Sequence, residues 1–478
     1  MPLRNLVWML IVPGLVGIGM AIGYSAPAPD QDYQLLRQFV EVMAEVDANY
    51  VRELTPEDKQ KFVEDAISGG LRKLDPHSVY LNEKQLKEFD TETEGSFDGV
   101  GILLGQDEKT KRLKLASPFA GGSAYEAGLI ANDIILKVGD TDTKDMTGEQ
   151  ASKLIKGERG TKVTLTIGRG EKEFPVVLTR ARIAMHPVSG VSRRADDPIK
   201  WNWFIDPKDK IALIRISSFS GLTTKEVEEA MKEIEAGGAR ALILDLRDNP
   251  GGLLEEATKI ADLFLTEGKI VTTKDRRGGE KTTSARGAGT IFLPAEQKPM
   301  VVLVNHDSAS ASEIVAAALQ DNNRAIVVGE RTYGKGSVQS VFRLAPDQKT
   351  AVKLTTQTWW RPNGKNMDKA WAEKQKLDEW GVTPDEGMTV AFTDPEYLRY
   401  RVELQKMDYV AGKPDVVGPN PPPPPPILGR DGKPLVDESK PFDDRQMNKA
   451  LDYLRKKLSG VGAAPRRDGG QLPARVPA

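Results

Sequence analysis

The chain contains no cysteine. Disulfide staples, thiol nucleophiles and thiolate metal ligands are thereby excluded, while the redox compartment is left undecided. Histidine is almost as scarce: His77, His186 and His306 are the only three in 478 residues. A histidine-rich metal site or proton relay has little to draw on, and no metal or cofactor is expected. Neither sign of charge predominates, with 67 basic against 69 acidic residues, which removes the electrostatic footprint of a nucleic-acid binder.

What is present begins with an unusual N-terminus. Arg4 precedes an uncharged run from Leu6 to Ile22, followed by Gly23-Tyr24-Ser25-Ala26-Pro27-Ala28. A basic start, an apolar stretch and small residues make an export signal. The run lies near the lower limit for crossing a bilayer, so a cleaved signal and an uncleaved anchor through residues 6–22 both fit. A buried soluble helix is the bland alternative, and Pro13 with Gly14, Gly17, Gly19 and Gly23 would make a poor one. The expectation is an exported protein, periplasmic or membrane-anchored on the extracytoplasmic side.

The length predicts two or three domains. Residues 31–95 read as helical, with Thr55 as a cap before Pro56 and apolar Phe62, Ala66 and Leu71 at helical spacing. Residues 96–185 carry short β runs at 101–104, 113–115, 134–138 and 163–167, with a helix over 147–155, which suggests a small, partly open barrel. From 186 to 395 strands and helices alternate. The strands at 211–216, 241–246, 300–304 and 325–328 are continuously apolar but for Arg215 and Asp245, as in a covered, mostly parallel sheet. Pro419 and the run Pro421–Pro426 form a stiff spacer within a linker at 396–440. An amphipathic helix at 444–458 follows, within a tail of 441–478 whose last twenty residues read as disordered.

Three loops at strand ends of the alternating region carry chemistry. They are Asp245-Leu246-Arg247-Asp248-Asn249-Pro250-Gly251-Gly252, Asn305-His306-Asp307-Ser308-Ala309-Ser310-Ala311-Ser312-Glu313, and the stretch from Gly329 to Gln339. In parallel sheets, sites gather in the crevice at the carboxyl ends of strands. Ser310 at the head of a helix is backed by N–H groups; those of Ala311 and Gly252 would make an oxyanion hole, worth about 3 to 4 kcal/mol per donor. Its base would be Lys335. A free lysine is neutral in only about one molecule in 2,500 at pH 7, and burial raises that share. Gly334 and Gly336 let the backbone bend and send the lysine inward, and Gln339 could orient the amine without a charge.

Competing readings exist for each residue. Gly329-x4-Gly334-Lys335 matches most of a phosphate-binding loop, but Gly336 stands where Ser or Thr should hold magnesium, and 337–342 reads as a strand. His306, four residues before Ser310, could serve as base, although a helix begins between them. Taken alone, Ser310 is a helix-cap serine and Lys335 a surface lysine.

Ser308-Ala309-Ser310-Ala311-Ser312-Glu313 together with Gly334-Lys335-Gly336-Ser337-Val338-Gln339 resembles the carboxyl-terminal processing, or tail-specific, proteases. Lys335 follows Ser310 by 25 residues and Gln339 follows Lys335 by four, as in that family's motif. The resemblance implies Ser310 as nucleophile, Lys335 as base, Gln339 as its orienter, and Gly252 and Ala311 as oxyanion donors. It implies an α/β multidomain (α+β) fold: a crotonase/ClpP-like protease core with an inserted PDZ domain, an N-terminal helical region and a C-terminal helical tail. Two segments depart from the family: 193–210, with Trp201 and Trp203, is longer and more aromatic, and 370–379 is an insertion.

Phe97-Asp98-Gly99-Val100-Gly101-Ile102 resembles a PDZ carboxylate-binding loop, and Ser123 to Ile135 its helix-turn-strand segment. Backbone N–H groups of Val100, Gly101 and Ile102 would cradle a terminal carboxylate while the peptide extends a strand edge. Leu103 and Leu154 would receive its last side chains. The expected partners are therefore protein substrates held by their C-terminal tails; a homo-oligomer is a further expectation. The alternative classes are a catalytically silent PDZ adaptor and an envelope scaffold. A silent relative should have lost Ser310 or Lys335, and this chain keeps both.

Overall fold

Period-two alternation within the largely apolar strands decides the architecture. The computed structural model describes residues 30–461, apart from 108–109, 288–290, 293–296, 346–347 and 419–440, of which only 423 and 436 are described. Residues 1–29, on which the expected export signal falls, most of the proline run and residues 462–478 lie outside the described residues. Among the described residues no helix is long and apolar enough to cross a membrane.

The chain divides into two compact units, with the boundary between Tyr80 and Leu81. The first holds helices α1 (Asp30–Asn49) and α2 (Pro56–Leu74). Thr55 caps α2 as its spacing predicts: the Thr55 side chain accepts from Asp58 N–H, and Asp58 accepts from Thr55 N–H. Phe39 and Phe62 pack with ring centroids 6.5 Å apart.

The second unit begins with α3 (Glu83–Glu94), which ends at Gly95 in the left-handed conformation. A small β domain follows. Its outer pair, β1 (Ser96–Gly99) and β7 (Ala181–Ala184), is antiparallel and joins the domain's entry to its exit. Between them lies a sheet in the order β2 (Ile102–Gln106), β3 (Leu113–Pro118), β4 (Ile134–Val138), β5 (Lys162–Arg169) and β6 (Lys172–Thr179), so β2 is an edge. Helix α4 (Gly148–Ile155), capped by Thr147, buries Ala151 and Ile155 in this domain's own core.

The larger sheet runs β8 (Val188–Ser189), β9 (Ile211–Ile216), β10 (Ala241–Asp245), β13 (Met300–Val304) and β14 (Ala325–Gly329). β9, β10, β13 and β14 are mutually parallel, and β8 is an antiparallel edge. Residues Ala212, Ile214, Leu242, Leu244, Val302 and Val327 face helices α5 (Thr223–Ala236), α6 (Leu254–Phe264) and α7 (Ala311–Asp321). Their alternates Ile211, Leu213, Ile243, Val301, Leu303 and Val328 face the C-terminal helix α10 (Arg445–Val461), with Ala450, Leu451 and Leu454 buried between. Helices α8 (Lys369–Lys374) and α9 (Asp394–Asp408) precede it. A second, antiparallel sheet orders β12 (Glu280–Ser284), β11 (Lys269–Asp275), β16 (Ala351–Trp360) and β15 (Ser337–Arg343).

One face of the main sheet is thus covered by a helix that reaches it from beyond the proline spacer. Leu454→Ala should cost about 2 to 5 kcal/mol of stability, read as a lower urea midpoint with an unchanged slope. A midpoint equal to wild type would show that α10 does not close that face.

Candidate active site

All three predicted loops leave the carboxyl ends of adjacent parallel strands: 246–253 after β10, 305–310 after β13 and 330–336 after β14. Ser310 stands immediately before α7 with φ 55° and ψ −113°. A non-glycine residue with positive φ is strained, and it persists only where its surroundings over-determine it. Those surroundings are visible. Ser308 Oγ donates to Leu246 O (2.8 Å) and Ser312 Oγ donates to Asn249 O (2.8 Å), while Ala309 N–H donates to Asn249 O (3.0 Å). The flanking serines thus brace the turn, and Ser310 lines the cleft.

The turn is held most firmly by Glu313, a fully buried carboxylate in the first turn of α7. Its Oε2 accepts from Ser310 N–H (2.7 Å) and Lys335 N–H (2.9 Å). Its Oε1 accepts from Gly334 N–H (2.7 Å) and Thr332 Oγ1 (2.6 Å). Ser310 and Lys335 backbones therefore lie within the span of two hydrogen bonds sharing one oxygen. Burial pushes this carboxyl above its usual range, and the four donors pull the other way without cancelling it.

The glycines around Lys335 are required by close approach. Gly334 has φ 85°, and a Cβ there would meet the Trp380 ring at 2.5 Å; one on Gly336 would meet Asp368 at 2.6 Å. Trp359 Nε1 donates to Lys335 O (2.8 Å) and Trp359 N–H to Gly336 O (2.9 Å), which fixes the lysine's backbone from the second sheet. Gln339, on β15, donates through Nε2 to Ser337 Oγ (2.9 Å) and Thr355 Oγ1 (3.1 Å).

Gly251 (φ 104°) and Gly252 (φ 145°) run directly beside the serine turn. A Cβ added to Gly251 would stand 2.9 Å from Ser310 Cβ and 3.0 Å from Ala311 N. Asn249 sets this path: its Oδ1 accepts from Gly251 N–H (2.9 Å) and its Nδ2 donates to Ile216 O (2.8 Å).

Ser310, Ala311, Gly252, Lys335 and Gln339 line one cleft of about 1270 Å3. His306 does not line it; its Nδ1 lies 3.0 Å from Glu330 Oε2, and its ring packs on Tyr397. A phosphate loop is also disfavoured, because Gly334 and Lys335 N–H already point at a carboxylate and β15, a strand, follows. In the small domain, Val100 O accepts from Ala124 N–H (2.9 Å) and Gly101 O from Phe119 N–H (3.0 Å). Gly101 has φ 74°, and Ile102 opens the edge strand β2. Leu103 on β2 and Leu154 on α4 are both exposed, and Leu103 lines the same cleft as Ser310. Among the described residues no cluster of three or more His, Asp or Glu side chains could hold a metal.

Two features escaped the sequence. Glu313 three residues after a serine reads as a capping pair, which explains its bond to Ser310 N–H but not its reach to 332, 334 and 335. Arg247 is buried, with Nε and Nη2 on Asp245 (2.9 and 2.7 Å) and Nη1 on Asp444 (2.9 Å) and Gln446 (3.1 Å). This ties the Gly252 loop to α10, and no local pattern announces it.

Glu313→Gln would turn an amide N–H2 toward donors it cannot satisfy, each costing about 1 to 3 kcal/mol. The expected result is a folded protein whose turnover falls about 100-fold, since small displacements of reacting groups cost that much; wild-type turnover would show that the carboxylate is dispensable. His186 Nδ1 lies 2.6 Å from Glu226 Oε1 in the cleft wall. That hydrogen bond raises the imidazole above 6.5, against desolvation and Arg193 and with help from Glu229. A folded-state pKa above the unfolded one gives stabilisation that is complete below 6.5 and lost as pH rises through the raised value. An NMR titration of His186 should have its midpoint above 6.5, and Glu226→Gln should lower it.

Residues 210–388 match peptidase family S41, and residues 117–169 match a PDZ domain. The chain is 31% identical over 456 residues to the carboxy-terminal-processing protease of Bartonella bacilliformis, covering 94% of each. It is 38% identical over 348 residues to the carboxyl-terminal-processing protease of Synechocystis, covering 71% of this chain and 75% of that one. Among solved structures, a photosystem II D1 C-terminal processing protease aligns at 28% identity and TM-score 0.40 over 74% of this chain and 92% of the other. With its Ser310 and Lys335 turns joined at one cleft and a PDZ domain before them, the chain belongs to the carboxyl-terminal processing proteases, serine peptidases of family S41.

Proposed function

We propose that Ser310 is the nucleophile, Lys335 its general base, Gln339 the residue that orients the lysine, and the N–H groups of Gly252 and Ala311 the oxyanion hole. The observation that carries this reading is the shared acceptor: Ser310 N–H and Lys335 N–H both end on Glu313 Oε2, at 2.7 and 2.9 Å. Ser310 Oγ attacks the scissile carbonyl and passes its proton to Lys335 Nζ. The oxyanion forms beside Gly252 and Ala311, where preset donors stabilise charge as it develops. Collapse expels the amine, which takes the proton back from Lys335, and leaves an acyl-enzyme. Water, deprotonated by the same lysine, attacks the ester and frees Ser310.

Substrate capture belongs to the small domain in this reading. The carbonyl of Val100 is held by Ala124 N–H and that of Gly101 by Phe119 N–H, which supports a turn whose own N–H groups at Val100, Gly101 and Ile102 receive a terminal carboxylate. A peptide added to the edge strand β2 passes Leu103, and Leu103 already lines the cleft of Ser310. The enzyme would thus be an endopeptidase that finds proteins by their tails, outside the cytoplasm if residues 1–30 act as an export signal.

The test is hydrolysis of a protein substrate with a free or an amidated C-terminus by wild type, Ser310→Ala and Lys335→Ala. Ser310→Ala should abolish cleavage. Lys335→Ala should lose it at neutral pH with partial recovery at high pH, and amidation should raise KM. Wild-type turnover in Ser310→Ala would sink the assignment.

A further inference from the structure

One of the two segments that depart from family expectation, 193–210, builds one wall of the cleft. Ser192–Arg193 pairs antiparallel with Trp201–Asn202 to form a hairpin. Its tip reaches the small domain, where a Cβ on Gly121 would touch Ile199 Cδ1 at 3.7 Å. Arg193, Ile199, Trp201 and Trp203 line the cleft that contains Ser310 and Lys335.

Arg193 is placed as a receptor rather than as a brace. Its guanidinium lies 4.4 Å over the Trp201 ring, which fixes its plane. Of its five N–H donors, Nη1 donates to Pro198 O (2.7 Å), and the buried Nε has no hydrogen-bond partner among the described residues. No carboxylate among the described residues forms an ion pair with it; Asp408 and the Tyr125 phenol act on it only through space. Three acidic groups of helix α5 line the cleft, and each has another partner: Glu226 has His186 (2.6 Å), Glu233 has Trp203 Nε1 (2.8 Å) and Glu229 has Lys225 (3.8 Å). Asp408, on α9, is shared with Arg215, which is its stronger neighbour. A half-buried guanidinium with its fork unfilled regains what burial costs it when a carboxylate enters in the same plane.

We propose that Arg193 binds a carboxylate carried by the substrate chain, against the Trp201 face, and so selects which peptides reach Ser310. This rests on the serine-peptidase reading above and adds a specificity residue to it. The carboxylate is an Asp or Glu side chain of the substrate, because the chain terminus is assigned to the Val100–Ile102 turn.

The experiment uses the full chain and peptides matched in pairs, Glu against Gln at successive positions and free against amidated C-terminus. Wild type should favour the carboxylate member of one pair by about tenfold or more in kcat/KM. Arg193→Gln should bring that ratio toward one, and Arg193→Lys, which keeps the charge but loses the planar fork, should leave an intermediate ratio. Collapse of the Glu/Gln ratio in Arg193→Gln supports the proposal, and collapse of the free/amidated ratio instead places the terminus at Arg193 and overturns it. Ratios unchanged in both variants overturn the proposal; if Arg193→Gln shows no melting transition, an unchanged ratio in Arg193→Lys does so alone. Absence of hydrolysis in wild type, or its persistence in Ser310→Ala, instead overturns the serine-peptidase reading beneath it.

Discussion

One buried carboxylate joins the serine turn to the lysine turn. Glu313 accepts from Ser310, Lys335, Gly334 and Thr332, so two loops from different strands are referred to a single pair of oxygens. Burying a carboxylate is costly unless its lone pairs are filled, and here four donors fill them. Two of those donors are the backbone amides of Ser310 and Lys335, whose positions set where Ser310 Oγ and Lys335 Nζ begin. Gly334 and Gly336 follow from this, because side chains there would collide with Trp380 and Asp368.

The sheet supplies the platform and α10 its backing. Arg247, buried between Asp245 and Asp444, links the end of β10 to the start of α10. Gln446 Nε2 donates to Glu330 Oε1 (3.2 Å), which ties α10 to the loop after β14 as well. Two of the three site loops are therefore anchored to a helix that lies beyond the proline spacer in the chain. In a buried network of this kind, removing one partner leaves the others uncompensated, so position and stability are coupled.

The small domain is attached to the core at more than its two chain ends. After α9 the chain turns back onto it: Ala131 N–H donates to Ala411 O (2.7 Å), Ser117 Oγ to Val410 O (2.9 Å), and Lys413 pairs with Glu126 (2.8 Å). The cleft between domain and core is thus framed by the β7–β8 connection with His186, by the 192–202 hairpin and by this returning strap. Leu103 on β2 and Ser310 line this one cleft.

Much of this was legible in the residues. The largely apolar runs 211–216, 241–245 and 300–304 read as covered strands, Thr55 and Thr147 as helix starts, and Ser310, Lys335 and Gln339 carried a fixed spacing. Those features are local or periodic, and backbone preference and burial act on them directly. The identity of α10 as the cover of the sheet was not legible, because an amphipathic stripe says that a face is buried and not against what. Glu313 showed only its capping bond, since its other three partners lie nineteen to twenty-two residues away. Arg247 with Asp444, and Arg193 with its unfilled fork, depend on which charges the fold leaves close together. Sequence determined the elements and the residue types gathered at the candidate site; only tertiary structure decided which buried charges meet, because electrostatic pairing in a low-dielectric interior depends on distance in space and carries no period along the chain.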